Sequence, residues 1–417
     1  MDKTGGMRSE MSKQEKTKEN LIKLCLAGKI TAGDAAKRLK LSVRQVENLK
    51  KKQREGTSLI HGNCGRISAR ALSANVRQKI LDEYRDVEEL KMNFTHFHEH
   101  LAEKGLVVSY SAMRNALVDG GFVSPKTRRV SKKTHKTRER RLKFGELLQA
   151  DATPFDWFGL GKNLALHGFI DDATGQIIGL HMNQNECMDG YLEVMRQTLT
   201  RFGTPEALYA DGLSVFFPKT KSEELTVEEQ LAGIYERKTQ FGMICDELGI
   251  QLIHAHSSQA KGRVERLWET LQSRLPVEFA LRGISSIEAA NRFLKDEYVD
   301  RFNARFAVNK NAKSCFVTLP RTVDLDRLLT YKITRKVDHG GCFSWNNVRF
   351  QVLGNLSNQP AQVLVSNRLG VVVLHDNKLF HVHPLAKGRE SITTTDSVDA
   401  ILSRFVFFAC LKNEHVA

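Results

Sequence analysis

The sequence predicts a multidomain α+β protein: helical modules at the N-terminus, a mixed-sheet core flanked by helices, and a small C-terminal β-barrel. Three observations predict it. Up to about residue 122, apolar residues recur at helical spacing with Ser or Thr at the candidate helix starts. From Gly145 onward, short apolar runs of strand length alternate with helical patterns, as in a sheet covered by helices. Beyond residue 330, short β-branched runs are separated by Asn, Gly and Asp turns. A chain of 417 residues is too long for one core, and the composition shifts divide it at 1–58, 59–125, 126–144, 145–283, 284–330, 331–390 and 391–417.

The bulk numbers narrow the class. Lys and Arg total 63 against 48 Asp and Glu, a formal net charge of +15, which favours a polyanionic partner such as nucleic acid. The seven cysteines are odd in number, scattered and form no CxxC, so no disulfide framework is expected and a reducing compartment fits best. The N-terminus carries no signal-peptide core and no apolar run is long enough for a membrane span, so a cytoplasmic, nucleoid-associated protein with no membrane partner is expected.

The first module reads as a helix-turn-helix. Residues 15–27 form one helix, Thr31 caps a second running to Leu39, and Ser42 caps a third, "SVRQVENLKKKQREG", across the tight turn "LKLS". Val43, Val46 and Leu49 form its inward stripe; Arg44, Gln45, Asn48, Lys51 and Lys52 face outward, where long donors suit base edges and phosphates. A plain three-helix bundle with a solvated outer face is the alternative. A similar plan recurs over Ser73–Phe122. Ile80, Leu81 and Tyr84 mark one helix and Phe94, Phe97 and Leu101 the next. A third is capped by Ser109, is ended by Gly120 and Gly121, and turns Ser111, Arg114 and Asn115 outward. His61, Cys64, His96, His98 and His100 suggest zinc, but their spacing fits no paired-ligand pattern, and packed or solvated histidines are the better reading. Residues 126–143 hold ten Lys/Arg against one Glu, an arm or linker in which Arg128, Arg129, Lys132 and Lys133 can neutralise phosphates.

In the core, "ELLQADAT", "LALHGFI" and "QIIGLHM" read as three strands, with "DDATG" the hairpin turn between the last two. The helix "DGYLEVMRQTLTRFG", the strand "EALYAD", a polar stretch near 214–240, a helix through Leu248, the strand "IQLIHAHS" and an amphipathic helix follow. Three acids stand at privileged points. Asp151 lies in an apolar strand, where an ionised carboxylate is costly unless paired or bound to a cation. Asp211 ends the fourth strand before Gly212, where a backbone can approach a ligand, and Glu265 sits in the first turns of the last helix. If the first and fourth strands are neighbours, these carboxylates meet at one sheet edge. Hard oxygen ligands there suit Mg²⁺ or Mn²⁺, and two such ions support in-line phosphoryl transfer. Lys261, Arg263 and Arg266 would then track a substrate backbone. Asp171 and Asp172 in the turn, Asp189 as a helix cap, Asp246 and Glu247 at a helix end, and Glu269 have structural readings instead.

"LLQADAT", "ALYADGLSVF" and "SSQAKGRVERLWETLQ" together resemble the three blocks of the DDE transposases with a retroviral-integrase-type catalytic core, and the chain looks most like the ISNCY-type insertion-sequence transposases. The resemblance implies a ribonuclease H-like core with Asp151, Asp211 and Glu265 as a magnesium-binding triad, and a DNA transposase that cleaves element ends and joins the 3′-hydroxyl to target DNA. It also implies self-association into at least a dimer, because two DNA ends must be paired. The 53 residues between Asp211 and Glu265 exceed the usual integrase spacing, and the excess falls on the polar stretch, which reads as an insertion. Two other functions compete: a DNA-binding regulator derived from such an enzyme, which has no need of an intact triad, and a nuclease without strand transfer, which has little need of end recognition.

Overall fold

A computed structural model describes residues 13–57, 59, 71–126, 139–218, 238–255, 262–345 and 348–385. The chain divides into two compact units, residues 1–86 with 98–123 and residues 87–97 with 124–417.

In the first unit, helices α1 (Lys13–Leu26), α2 (Ala32–Leu39) and α3 (Val43–Arg54) enclose Ile22, Ala35, Ala36 and Val46. Thr31 accepts from the Asp34 amide and starts α2, while Ser42 and Gln45 form a reciprocal capping box at α3. Lys40 closes α2 in the left-handed conformation, which reverses the chain within three residues. One detail departs from the predicted stripe. Val46 is buried and Leu49 half-buried, but Val43 is 52% exposed, because it occupies the first helical position, beyond the reach of the other two helices. The second helical group holds α4 (Ala74–Arg85), α5 (Phe94–Glu103) and α6 (Tyr110–Asp119), capped by Ser73 and Ser109 where these start α4 and α6. Ile80, Tyr84, Leu101, Met113 and Leu117 are buried, and Tyr84 meets Phe122 edge-on at 5.0 Å. The division between the units falls inside α5.

The second unit is built on a mixed five-stranded sheet of β1 (Leu148–Phe155), β2 (Leu164–Asp171), β3 (Ile177–Asn183), β4 (Ala207–Ala210) and β5 (Gln251–His254), in the order β3-β2-β1-β4-β5. The first three strands are antiparallel; β4 and β5 run parallel to β1. Every residue of β2 is buried, because helices cover both faces. On one face Leu148, Ala150, Phe169 and Leu208 pack with α7 (Met188–Arg201) and α8 (Gln240–Glu247). On the other, Leu166, Ile170 and Leu180 pack with α9 (Gly262–Gln272) and α10 (Leu275–Leu281). Helices α11 (Ile287–Phe293) and α12 (Val299–Phe306), joined through a π-helical turn over Leu294–Tyr298, complete that face.

Among the described residues, no further strand pairs with the outer edge of β3. Instead Asn303, Gln197 and Asn291 each give and receive a hydrogen bond with the backbone of Ile177, Leu180 and Met182, at 2.7–3.1 Å. Three side-chain amides thus do the work of a neighbouring strand and close the edge to other chains.

A six-stranded antiparallel sheet follows: β6 (Tyr331–Lys336), β7 (Cys342–Trp345), β8 (Val348–Val352), β9 (Pro360–Ser366), β10 (Gly370–His375) and β11 (Lys378–Leu385). Its order is β6-β9-β10-β11-β8-β7, and the outer strands approach so that it nearly closes around Phe343, Phe350, Val363 and Val373. Asp376 and Asn377 both take positive φ, as a two-residue hairpin turn needs. The β9–β10 turn fastens to α7: Asn367 donates to Asp189 at 2.7 Å and Arg368 pairs with Glu193 at 3.2 Å. Asp189 is therefore no helix cap. Cys187 holds that position, and Asp189 spends its carboxylate on the β-module.

Candidate active site

The site is built where β1 outruns β4. The two strands pair only at Leu148 with Leu208 and Gln149 with Tyr209. Carrying that register two residues further sets Asp151, midway along β1, abreast of Asp211, just past the carboxyl end of β4. Open α/β sheets bind ligands there, because the chain leaves the sheet in both directions and opens a crevice.

Helix α9 is laid along β1 by three side-chain contacts in step. Val264 N–H donates to Gln149 Oε1 at 3.3 Å, Trp268 Nε1 to Asp151 Oδ2 at 2.7 Å, and Gln272 Nε2 to Thr153 Oγ1 at 3.1 Å. Alternate strand residues advance about 6.6 Å and every fourth helical residue about 6 Å, so the two elements stay in register along one face. Gly168, opposite Asp151 on β2, supplies the room: a Cβ there would lie 2.9 Å from the Trp268 ring and 2.8 Å from Leu180. Glu265 is exposed and stands one helical turn before Trp268, so it neighbours the residue that grips Asp151.

The N-terminus of α9 is anchored from below. Asp172, fully buried, accepts from the Gln149 amide and the Arg141 backbone, and pairs with Arg263 at 2.5 Å. Arg263 is therefore turned into the protein, with a side chain 14% exposed, while Arg266 lies in solvent. Asp171 caps its own turn through Thr174 and the Gly145 amide, and burial raises its carboxyl above the usual range.

Asp211 accepts from Leu213 N–H at 3.2 Å, which fixes the turn after β4. Behind the two aspartates Tyr191 is buried and donates to Glu186 at 2.5 Å. Burial raises its hydroxyl pKa well above the ordinary value, with Glu186 next and then Asp151 and Asp211 contributing. His167, packed edge-on to Tyr191, accepts from Cys187 N–H and donates to the His181 carbonyl; burial pushes it down to about 3, a neutral structural imidazole.

Other sequence-predicted residues fall as follows. Arg44, Asn48 and Lys51 are exposed on α3, and Arg114 and Asn115 on α6; Gln45 gives its side chain to the capping box. Arg128, Arg129, Lys132, Lys133 and Lys261 lie outside the described residues, as do His61 and Cys64. His96 is bound to Glu278 at 2.8 Å and His98 to the Val108 carbonyl at 2.7 Å. Among the described residues no group of three or more His, Cys, Asp or Glu is gathered closely enough to hold a metal ion, and no helix is long and apolar enough to cross a membrane. By donor chemistry Asp151, Asp211 and Glu265 fit a hard divalent cation. Sequence reasoning missed Trp268, placed only within an amphipathic helix, and Tyr191 with Glu186; a polar tip on a buried aromatic was the available signal.

No family model matches the chain. It is 33% identical over 371 residues to the transposase for insertion sequence IS1202 of Streptococcus pneumoniae, covering 81% of this chain and 77% of the relative. It is also 33% identical over 358 residues to y4bF of Sinorhizobium fredii, which carries a transposase name, covering 83% and 74%. Among solved structures, the HTLV-2 integrase catalytic core domain in complex with magnesium, in its trimeric form, aligns with 42% of this chain and 96% of its own at 16% identity and a TM-score of 0.28. These relatives make the chain a DNA-processing enzyme. The chain belongs to the insertion-sequence transposases.

Proposed function

We propose that this transposase binds the ends of its insertion sequence, hydrolyses a phosphodiester there, and uses the freed 3′-hydroxyl to attack target DNA. The observation that carries the reading is the register of β1 on β4, which carried two residues on sets Asp151 abreast of Asp211, with the Glu265 helix tied alongside through Trp268. This arrangement supports a ribonuclease H-like reading of the core. A pair of divalent cations held by Asp151, Asp211 and Glu265 would activate the attacking oxygen and neutralise the departing one. Trp268 aims one of these carboxylates, and Asp172 with Arg263 seats the helix that carries another. Arg266 and Lys261 follow the substrate strand as point charges.

The two N-terminal helical groups act as helix-turn-helix modules reading the terminal repeats. Arg44, Asn48, Lys51, Arg114 and Asn115 supply the contacts, and Arg128, Arg129, Lys132 and Lys133 neutralise phosphates between modules and core. The working divisions are residues 1–58 and 59–125 for recognition, 145–283 for catalysis and 331–390 for the barrel. Pairing two ends requires at least two copies of the chain.

Asp151→Asn, Asp211→Asn and Glu265→Gln are each expected to abolish Mg²⁺-dependent cleavage of labelled element ends while leaving end binding largely intact. Wild-type cleavage by any one of them removes that residue from the site. Asn48→Ala in the full chain should weaken binding to element ends by about 1–3 kcal/mol and leave random duplex unaffected. Equal weakening on both DNAs would move recognition away from α3.

A further inference from the structure

We propose that His254 is a positioning residue for Asp211, a role that rests on reading the two aspartates as metal ligands. His254 ends β5 directly beside Ala210, the residue before Asp211. The next residue, Ala255, donates its N–H to the Ala210 carbonyl at 2.7 Å, so the two strand ends are bound together at that level. The imidazole reaches over the turn that follows. A Cβ built on Gly212 would lie 2.8 Å from His254 Nε2, and no other residue would come so near. Gly212 does not have a positive φ, so its backbone does not require glycine. It is exposed, so no core packing requires glycine either. What a side chain there would meet is the His254 ring.

The ring is itself held. Phe217 meets it edge-on, with centroids 4.8 Å apart and planes at 86°. Phe217 belongs to the same turn, whose Phe216 and Phe217 amides both donate to the Leu213 carbonyl. Phe216 in turn packs against Tyr191 at 4.6 Å. The turn carrying Asp211 is therefore clasped between His254 and the buried aromatic cluster. An aspartate just past a strand end has few backbone bonds to fix it, so the direction of its carboxylate follows the seating of this turn. Outer supports of this kind change metal affinity by about 10–100-fold when removed.

The test uses the full-length protein without DNA and reads Mn²⁺ binding from the electron paramagnetic resonance of the free ion, alongside the unfolding midpoint. His254→Ala and Gly212→Ala are each expected to weaken Mn²⁺ binding about tenfold with little change in midpoint. Gly212→Ala disturbs the contact from its exposed side and keeps the test readable if His254→Ala folds poorly. The double variant should bind no worse than the weaker single one, because both remove one contact. Binding abolished by Asp211→Asn but untouched by His254→Ala and Gly212→Ala overturns the positioning role alone. Binding untouched by Asp211→Asn overturns the metal reading, and the His254 role with it.

Discussion

Trp268 shows how much one side chain settles at this site. Its indole is packed between Leu180 and the space left by Gly168, and its only polar atom donates to Asp151. Trp268→Phe keeps most of the packing and removes the donor. Because Asp151 is only half-buried, water replaces part of the lost bond, and stability should fall by roughly 1 kcal/mol in a denaturant titration. Cleavage should fall further than DNA binding, since the carboxylate loses its aim and the DNA contacts do not change. Equal losses in both would make the indole a packing residue only. The acids were legible in the sequence for a physical reason: a carboxylate in an apolar strand, or beside a strand-ending glycine, is costly without a task. The residues that aim them were not. Trp268 and His254 act through register and close approach, and neither leaves a mark in composition or periodicity. Gly212 and Gly168 were visible only as glycines. The first was read as room for a ligand, and in the structure it is room for an imidazole.

At the scale of elements, alternation and run length revealed the strands, but they cannot reveal which strand has a bare edge. The β3 edge is closed by Asn291, Gln197 and Asn303, set on helices up to 126 residues away in sequence. Asn291→Ala leaves the buried Met182 N–H and carbonyl without their partners, and about 1–3 kcal/mol of stability should be lost. The exposed edge should also raise the rate of aggregation in light scattering on warming. Unchanged stability would mean that water satisfies the edge as well as the amide does. The seam between α7 and the β9–β10 turn carries a pH dependence. Burial pushes Asp189 up to about 6, reinforced by Glu193 and opposed by Asn367 and Arg368. A carboxyl raised in the folded state binds its proton more tightly there than in the unfolded chain. Its favourable contribution is therefore complete below the ordinary carboxylate range and is lost as pH rises toward about 6. Asp189→Asn keeps a partner for Asn367 without the buried charge. It should raise the unfolding midpoint at neutral pH and flatten its fall between mildly acidic and neutral conditions. A variant with the wild-type profile would assign that fall to another group.

For the molecule as a whole, the excess of positive charge is uneven, and its densest run lies in sequence between the N-terminal helical groups and the core. Residues 126–143 hold ten Lys and Arg in 18 positions, four of them Arg128, Arg129, Lys132 and Lys133. Charge of this kind is plain in the sequence and says nothing about fold, but it does dictate how binding responds to salt. Each phosphate contact releases condensed counter-ions, so the logarithm of affinity falls linearly with the logarithm of salt at about 0.9 per contact. Replacing those four residues by Ala should therefore lower the slope by up to about 3.6. The loss should be the same for element ends and random duplex, because phosphates carry no sequence. The half-saturating Mg²⁺ concentration for cleavage should stay where it was, since the carboxylates at β1, β4 and α9 are untouched. A slope that does not move would make the run a spacer that never meets the backbone. A loss confined to element ends would instead make it part of the recognition surface, reading groove shape and not charge alone.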